Sequence, residues 1–418
     1  MHHTIMHSSS RTLKNNVITF FTMALLIFSA NSSGAEIGIT DKSIRIGGVM
    51  DFEGQSRGLG QNMRKGIIAA ISGKKVKGRS IDFVTRNDSY SPSLTVEATE
   101  KLIDEGIFVM LGNVGTPTAK VSLPLLADND VPAVGFFTGA GLLRPGVGDV
   151  INYRASYVQE TAAVISSALS SGVAAEEICA YVQNDAYGMA GVAGIKKAIA
   201  SKRGARKITK LLDQILEMEG NNPLRNNIGP IGVYQRNTLN SKSGYDSLKH
   251  WEEQQDVTCK LVVSVGTYNA IGRFAGYSRY KGDNWIVSAV SFTGAENLKT
   301  VLNEFGVNGG VVMTQVVPSL DSNIPILEEA RMKLGNDYGY VSLEGFLVGK
   351  MLISALKKIE GEITRDKFLA AIRGEKFDLG GVKLNFRNGN QGSKLVTMIY
   401  YNNGEYRTLK KSGWKQII

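Results

Sequence analysis

The segment Gly112-Asn113-Val114-Gly115-Thr116-Pro117-Thr118 has the composition of an anion-binding turn. Its glycines let the backbone turn tightly, and the helix expected to follow leaves its first N–H groups and its positive dipole end facing outward. Thr116 adds a hydroxyl donor, so the carboxylate of a small ligand is a natural guest. The same residues would serve equally as a plain helix cap. The segment is not a phosphate-binding P-loop, because no Gly-Lys-[Ser/Thr] ending is present, and the Gly58–Gly60 pair lacks the third glycine of a dinucleotide fingerprint. Other short polar or aromatic stretches follow apolar runs in the same way. Phe137-Thr138-Gly139-Ala140-Gly141 would let a ligand approach the backbone, or form an ordinary tight turn. Asp51-Phe52-Glu53-Gly54 offers two acids and a ring, or solvated acids favoured at a helix start. Asp185-Ala186-Tyr187-Gly188, Thr267-Tyr268 and Ser291-Phe292 each end an apolar run with an aromatic residue. Such rings give a cleft apolar walls, and the tyrosines a hydrogen-bonding tip.

Catalytic chemistry is constrained by what is scarce. Of four histidines, His2, His3 and His7 fall in the first ten residues, leaving only His250, and the only cysteines are Cys179 and Cys259. A zinc site with His/Cys ligands, or a histidine-activated nucleophile, would depend on that single imidazole. Neither metal nor cofactor is expected. A carboxylate pair drawn from Asp51, Glu53 and Asp185 is the remaining enzymatic possibility, and it is disfavoured.

The elements that position these loops alternate. Ser43–Met50, Ser80–Thr85 and Phe108–Leu111 read as strands. Between the first two, Leu59, Met63, Ile67 and Ile71 form one stripe of a helix. Ser91-Pro92 opens the next helix, with serine as its cap. The rhythm resumes with strands at Ile178–Val182, Ile231–Gln235, Leu261–Val265 and Ile286–Val290. Two such runs, about 36–140 and 160–313, imply two doubly wound parallel-sheet α/β lobes with right-handed crossovers. Asn152–Tyr157 (NYRASY) reads as an extended segment crossing between them. The last section holds long helical patterns, then short strands and a hairpin at Asn402-Asn403-Gly404. Ligands of such sheets sit at the carboxyl ends of the strands.

The chain has 418 residues, 43% hydrophobic and 21% charged, ordinary values for a globular protein. Residues 1–35 read as a secretory signal peptide: Arg11 and Lys14, an apolar stretch from Val17 to Ala30, then Ser32-Ser33-Gly34-Ala35. Removing them takes away two cations and no acid, lowering the formal charge from +10 to +8. Nucleic-acid binding is not expected, because the basic clusters at Lys74–Arg79 and Lys202–Lys207 lack interleaved aromatics. In an oxidising compartment Cys179 and Cys259 could pair; two buried thiols are equally compatible with the sequence.

In order along the chain, Asp51–Gly54, Gly112–Thr118, Val131-Pro132, Thr138-Gly139-Ala140, Asp185–Gly188, Thr314–Pro318, Glu344-Gly345 and Asn390–Ser393 resemble the type I periplasmic solute-binding proteins of the branched-chain amino acid (Leu/Ile/Val-binding) family, which feed ABC importers. The resemblance covers about 40–410. It implies two lobes joined by a three-segment hinge, with 36–154 and 314–376 in lobe I, and 155–313 and 377–418 in lobe II. It further implies a monomer in the periplasm that carries a small ligand to an inner-membrane permease without altering it. A ligand-sensing protein of the same fold, signalling to a membrane receptor, is the alternative. Carried onto this sequence, the site would comprise Phe52, Gly115, Thr116, Thr138, Gly139, Ala140, Asp185, Tyr187, Tyr268 and Phe292. Thr116 would hold the ligand carboxylate, while Tyr187 and Tyr268 would close over it. Amino acid binders of the family also place an acid near Phe292 for the ammonium, and Ser288–Gly294 contains none.

Overall fold

The computed structural model describes residues 36–418; the expected signal peptide at 1–35 lies outside the described residues. From β1 (Ser43–Met50) the chain enters α1 (Arg57–Ile71), then β2 (Lys75–Val76), β3 (Arg79–Asn87), α2 (Pro92–Asp104), β4 (Met110–Leu111), α3 (Thr116–Asp128), β5 (Ala133–Val134) and β6 (Val150–Ile151). The stripe Leu59, Met63, Ile67 and Ile71 is buried, as its four-residue spacing requires. Pro92 opens α2, where its missing N–H costs nothing. Ser91 stands at the cap position without capping; its hydroxyl pairs with that of Ser93 instead. The first sheet has the order β2-β3-β1-β4-β5-β6, all parallel except β2.

A crossing segment, 152–156, leads to α4 (Tyr157–Ser170), capped by a reciprocal Ser156–Gln159 box. Then follow β7 (Ile178–Gln183), α5 (Ala186–Ile199), α6 (Ala205–Glu217), β8 (Ile231–Tyr234), α7 (Lys242–Gln255), β9 (Leu261–Val265), α8 (Tyr268–Tyr280), β10 (Ile286–Ala289), α9 (Ala295–Glu304) and β11 (Val311–Gln315). These five strands are parallel, in the order β11-β10-β9-β7-β8. The chain returns to the first lobe through α10 (Pro325–Leu334), α11 (Tyr340–Lys358), α12 (Arg365–Ala370) and a hairpin of β12 (Lys376–Asp378) and β13 (Lys383–Asn385). It ends with β14 (Thr397–Asn402) and β15 (Glu405–Thr408), added antiparallel to β11 across the Asn403-Gly404 turn. Both turn residues have positive φ, as a tight hairpin of this twist demands.

Two expected boundaries move. Thr314 and Gln315 complete β11 in the second sheet. The β12–β13 hairpin, expected in lobe II, stays with lobe I: Ile326 N–H donates to Gly380 O at 3.1 Å, and Lys358 lies 4.5 Å over the Phe377 ring. The crossings near 152 and 391 run side by side, with Asn152 N–H to Asn390 O at 2.7 Å and Gly392 N–H to Asn152 O at 2.9 Å.

Among the described residues no helix is long and apolar enough to cross a membrane. The longest, α11, is buried along most of its length and packs against α1. Gly66 and Gly345 set that approach: a Cβ on Gly66 would come within 2.0 Å of Ser342 O, and one on Gly345 within 2.3 Å of Met63 O. Cys179 and Cys259 form a disulfide, with Cα atoms 5.8 Å apart. Pairing of β7 with β9 puts Cys179 opposite Val262, close to Cys259.

Candidate functional site

Each lobe has the strand order 2-1-3-4-5 among its parallel strands, so each has a switch point, between β1 and β4 and between β7 and β9. Open sheets of this kind bind ligands outside those carboxyl ends. The loops singled out from the sequence stand there.

In lobe I the acids are consumed by the turn. Asp51 is buried and accepts from Glu53 N–H (3.1 Å), Gly54 N–H (2.6 Å) and Ser56 N–H (2.8 Å). Glu53 accepts from Asn87 at 3.2 Å. The Phe52 ring packs 5.8 Å from the Arg64 guanidinium of its own lobe. Thr116 is the first residue of α3, whose N-terminus has no side-chain cap. Its hydroxyl lies 2.7 Å from that of Thr138, which in turn accepts Ala140 N–H at 3.3 Å. Gly115 has φ +115°, and a Cβ there would meet the Tyr90 ring at 2.4 Å. Gly139 O accepts Tyr157 N–H at 2.8 Å.

In lobe II, Asp185 caps α5 by accepting Tyr187 N–H at 2.9 Å, and also takes Gln183 (2.8 Å) and Arg236 (3.2 Å). Burial pushes its carboxyl up. The Tyr187 hydroxyl donates to Gly266 O at 3.3 Å. Phe292 is fully buried and gathers the rings of both lobes: Tyr187 at 4.8 Å, Phe137 at 5.2 Å and Tyr90 at 6.2 Å between centroids. Tyr157 and Tyr187 lie 5.2 Å apart. Polar links join the lobes around this cluster. Gly58 N–H donates to the Tyr268 hydroxyl (3.3 Å), Gln183 to the Tyr90 hydroxyl (3.2 Å) and Asn269 to Gln55 O (2.8 Å). Asp51, Glu53 and Asp185 thus all have other partners, and no two of them pair.

The residue that sequence reading missed is Arg154, in the crossing segment. It is wholly buried, 4.8 Å over the Phe137 ring and 5.9 Å from that of Tyr157. Its Nη2 donates to Ser291 Oγ and to Glu160 (3.4 Å); its Nε lies 3.6 Å from Glu344. Nε and Nη1 make no hydrogen bond. Glu160 is saturated, accepting Arg154, Ser291 N–H (2.7 Å), Ser291 Oγ (3.1 Å) and the Thr314 hydroxyl. Burial holds the Glu344 carboxyl at about 7, the Arg154 charge only partly offsetting it. Arg144 stands nearby, donating to Ala140 O (2.8 Å) and Arg154 O (3.0 Å), and burial lowers it to about 10. The sequence signal was a lone arginine between tyrosines in the crossing segment.

The comparisons agree with this architecture. The family described as periplasmic binding protein matches residues 43–210. A possible leucine/isoleucine/valine-binding protein from Rhodopirellula baltica SH 1 is 32% identical, covering 90% of this chain and 98% of its own, with a TM-score of 0.78. A leucine-binding protein from Thermotoga maritima MSB8 (16% identity, 88% and 97% covered, TM-score 0.70) shares the fold. So does an R. palustris ABC-transporter solute-binding protein in complex with 4-hydroxybenzoate (16%, 88% and 96%, 0.66). No curated relative matches the chain. Two switch-point lobes hinged by three crossings, and a relative of this identity matched over nearly its whole length, give one conclusion: the chain belongs to the type I periplasmic binding proteins, a family of binding proteins and not enzymes.

Proposed function

We propose that this protein captures a small carboxylate-bearing solute between its lobes and delivers it, as an exported monomer, to a membrane permease. The observation that carries the reading is Arg154: a fully buried guanidinium at the lobe junction, with two N–H-bearing nitrogens outside any hydrogen bond. A buried donor left without a partner is costly, roughly 1–3 kcal/mol and more when charged. A ligand carboxylate would accept a charge-assisted hydrogen bond from either nitrogen. The uncapped start of α3, with Thr116 and Thr138, supplies neutral donors across the cleft. Gly115, Gly139 and Ala140 would bring backbone close to the ligand. Tyr187, Tyr268 and Phe292 would wall it in, and Asp185 would hold the Tyr187 turn in place. Phe52, packed under Arg64, would border the site rather than line it.

Native mass spectrometry of the purified protein, followed by mild denaturation, should release an organic acid. The same acid at 100 times its Kd should raise stability by about 2.7 kcal/mol. A screen in which no carboxylate shifts the unfolding temperature would sink the reading.

A further inference from the structure

We infer that the ligand is a monocarboxylate without an ammonium group: an aromatic or other apolar acid rather than an α-amino acid. This rests on the inter-lobe cleft being the ligand site. An ammonium brought out of water needs a carboxylate oxygen free to face it, and at four buried acids around the junction both oxygens already accept hydrogen bonds. Asp51 serves three backbone N–H groups. Asp88 serves Tyr90 N–H and the Thr95 hydroxyl. Asp185 is held by Arg236, Gln183 and Tyr187 N–H. Glu160 accepts four hydrogen bonds, the capacity of a carboxylate.

Glu53 at the mouth is exposed to water and accepts only Asn87, on Oε2. Two buried acids keep an unbonded oxygen, and both are poorly placed for a cation. Glu344 Oε1 lies 3.6 Å from Arg154 Nε, so an ammonium there would sit against a guanidinium. Glu296 Oε1 is taken by Tyr340 N–H at 2.7 Å, and the carboxyl is pressed on the start of α11, within 2.7 Å of where a Cβ on Gly339 would stand. Its Oε2 is the one remaining buried competitor. Unused donors are more numerous at the junction: Arg154 Nε and Nη1, with Asn113 Nδ2 in the loop after β4 and Gln315 Nε2 at the end of β11. The body of the ligand would meet rings, those of Tyr90, Phe137, Tyr187 and Phe292. Donors plus rings, without a buried anion well placed for a cation, select an acid with an apolar body.

The experiment is calorimetry on the wild-type protein with matched pairs: 3-phenylpropionate against L-phenylalanine, 4-methylpentanoate against L-leucine, and benzoate with 4-hydroxybenzoate alone. The expected result is that at least one acid lacking the amino group binds, and binds at least tenfold tighter than its amino acid partner where one exists. An amino acid that binds as tightly as its partner, or tighter, overturns the inference but leaves a carboxylate site standing. If that preference disappears in Glu296→Gln, the ammonium holder is identified and the inference is wrong for a stated reason. If no acid of either series binds, the carboxylate site itself falls, and this inference with it.

Discussion

The Tyr268 hydroxyl accepts the Gly58 N–H at 3.3 Å, tying the start of α8 in one lobe to the start of α1 in the other. The bond exists only when the lobes are together, so it contributes to closure and not to the folding of either lobe. A ligand can shift an open–closed equilibrium only by what it, and the contacts it permits, favour in the closed form.

Tyr268→Phe removes this one acceptor while keeping the ring. A neutral hydrogen bond is worth about 0.5–1.5 kcal/mol, so affinity should weaken roughly 2–10-fold with faster release. Stopped-flow release rates and calorimetry on the same acid check it; an unchanged release rate would show that this contact has no part in closure.

Thr116→Ala takes the hydroxyl from the uncapped start of α3 and leaves Thr138 without its 2.7 Å partner. Binding of carboxylate ligands should fall at least tenfold, about 1.4 kcal/mol, and the free protein should lose roughly 1 kcal/mol of stability from the orphaned Thr138 hydroxyl. Titration calorimetry reads the first and differential scanning fluorimetry the second.

The packing of α1 on α11 yields a stability prediction. At Gly66 and Gly345 the obstructing atoms are backbone oxygens, Ser342 O and Met63 O, which cannot rotate away. Gly66→Ala and Gly345→Ala should each lose at least the roughly 1–3 kcal/mol typical of overpacking, measured by urea unfolding. Gly73→Ala, at positive φ with nothing within 4 Å, is the comparison: it would carry backbone strain alone.

Much of this fold could be read from residues. Strand–helix alternation gave both sheets, because apolar runs and four-residue stripes report burial directly. The loops after the strands gave most of the candidate cleft, because topology fixes where carboxyl ends point. What could not be read depended on partners far along the chain. Arg154 sits in an ordinary linker until Glu344 arrives from α11 and Ser291 from the β10 turn. The hairpin at 376–385 has no local feature that names its lobe; its contact with Ile326 decides. The cysteine pairing followed only from the register of β7 with β9.

The disulfide joins residues 80 apart in sequence, at the ends of β7 and β9 away from the cleft. Replacing both cysteines by serine should cost roughly 2–4 kcal/mol of stability, the usual range for such a link. Ligand affinity should stay the same, because the strand ends that carry Tyr187 and Tyr268 are untouched. Urea unfolding under oxidising conditions, compared with calorimetry, separates the two effects.

Glu344 makes stability depend on pH. Its carboxyl is held at about 7 in the folded protein, first by burial and then by the neighbouring Glu160, against the lowering effect of Arg154 and Arg144. A carboxyl of ordinary pKa 4.5 raised in this way binds its proton more tightly when folded. The stabilisation is therefore complete below the ordinary value and is lost as pH rises towards and past 7. Across pH 5 to 8 the loss from this residue is at most about 3 kcal/mol. Asp88, raised to about 6 by burial, adds a loss of the same sign at lower pH. Glu344→Gln cannot ionise, so its unfolding free energy should fall less steeply than the wild type's between about pH 5 and 7, the two curves becoming parallel below about pH 4 and above about pH 8. Parallel curves across that window would mean that Glu344 is ionised in the folded chain as in the unfolded one, and that the Arg154 cluster holds one more negative charge than proposed.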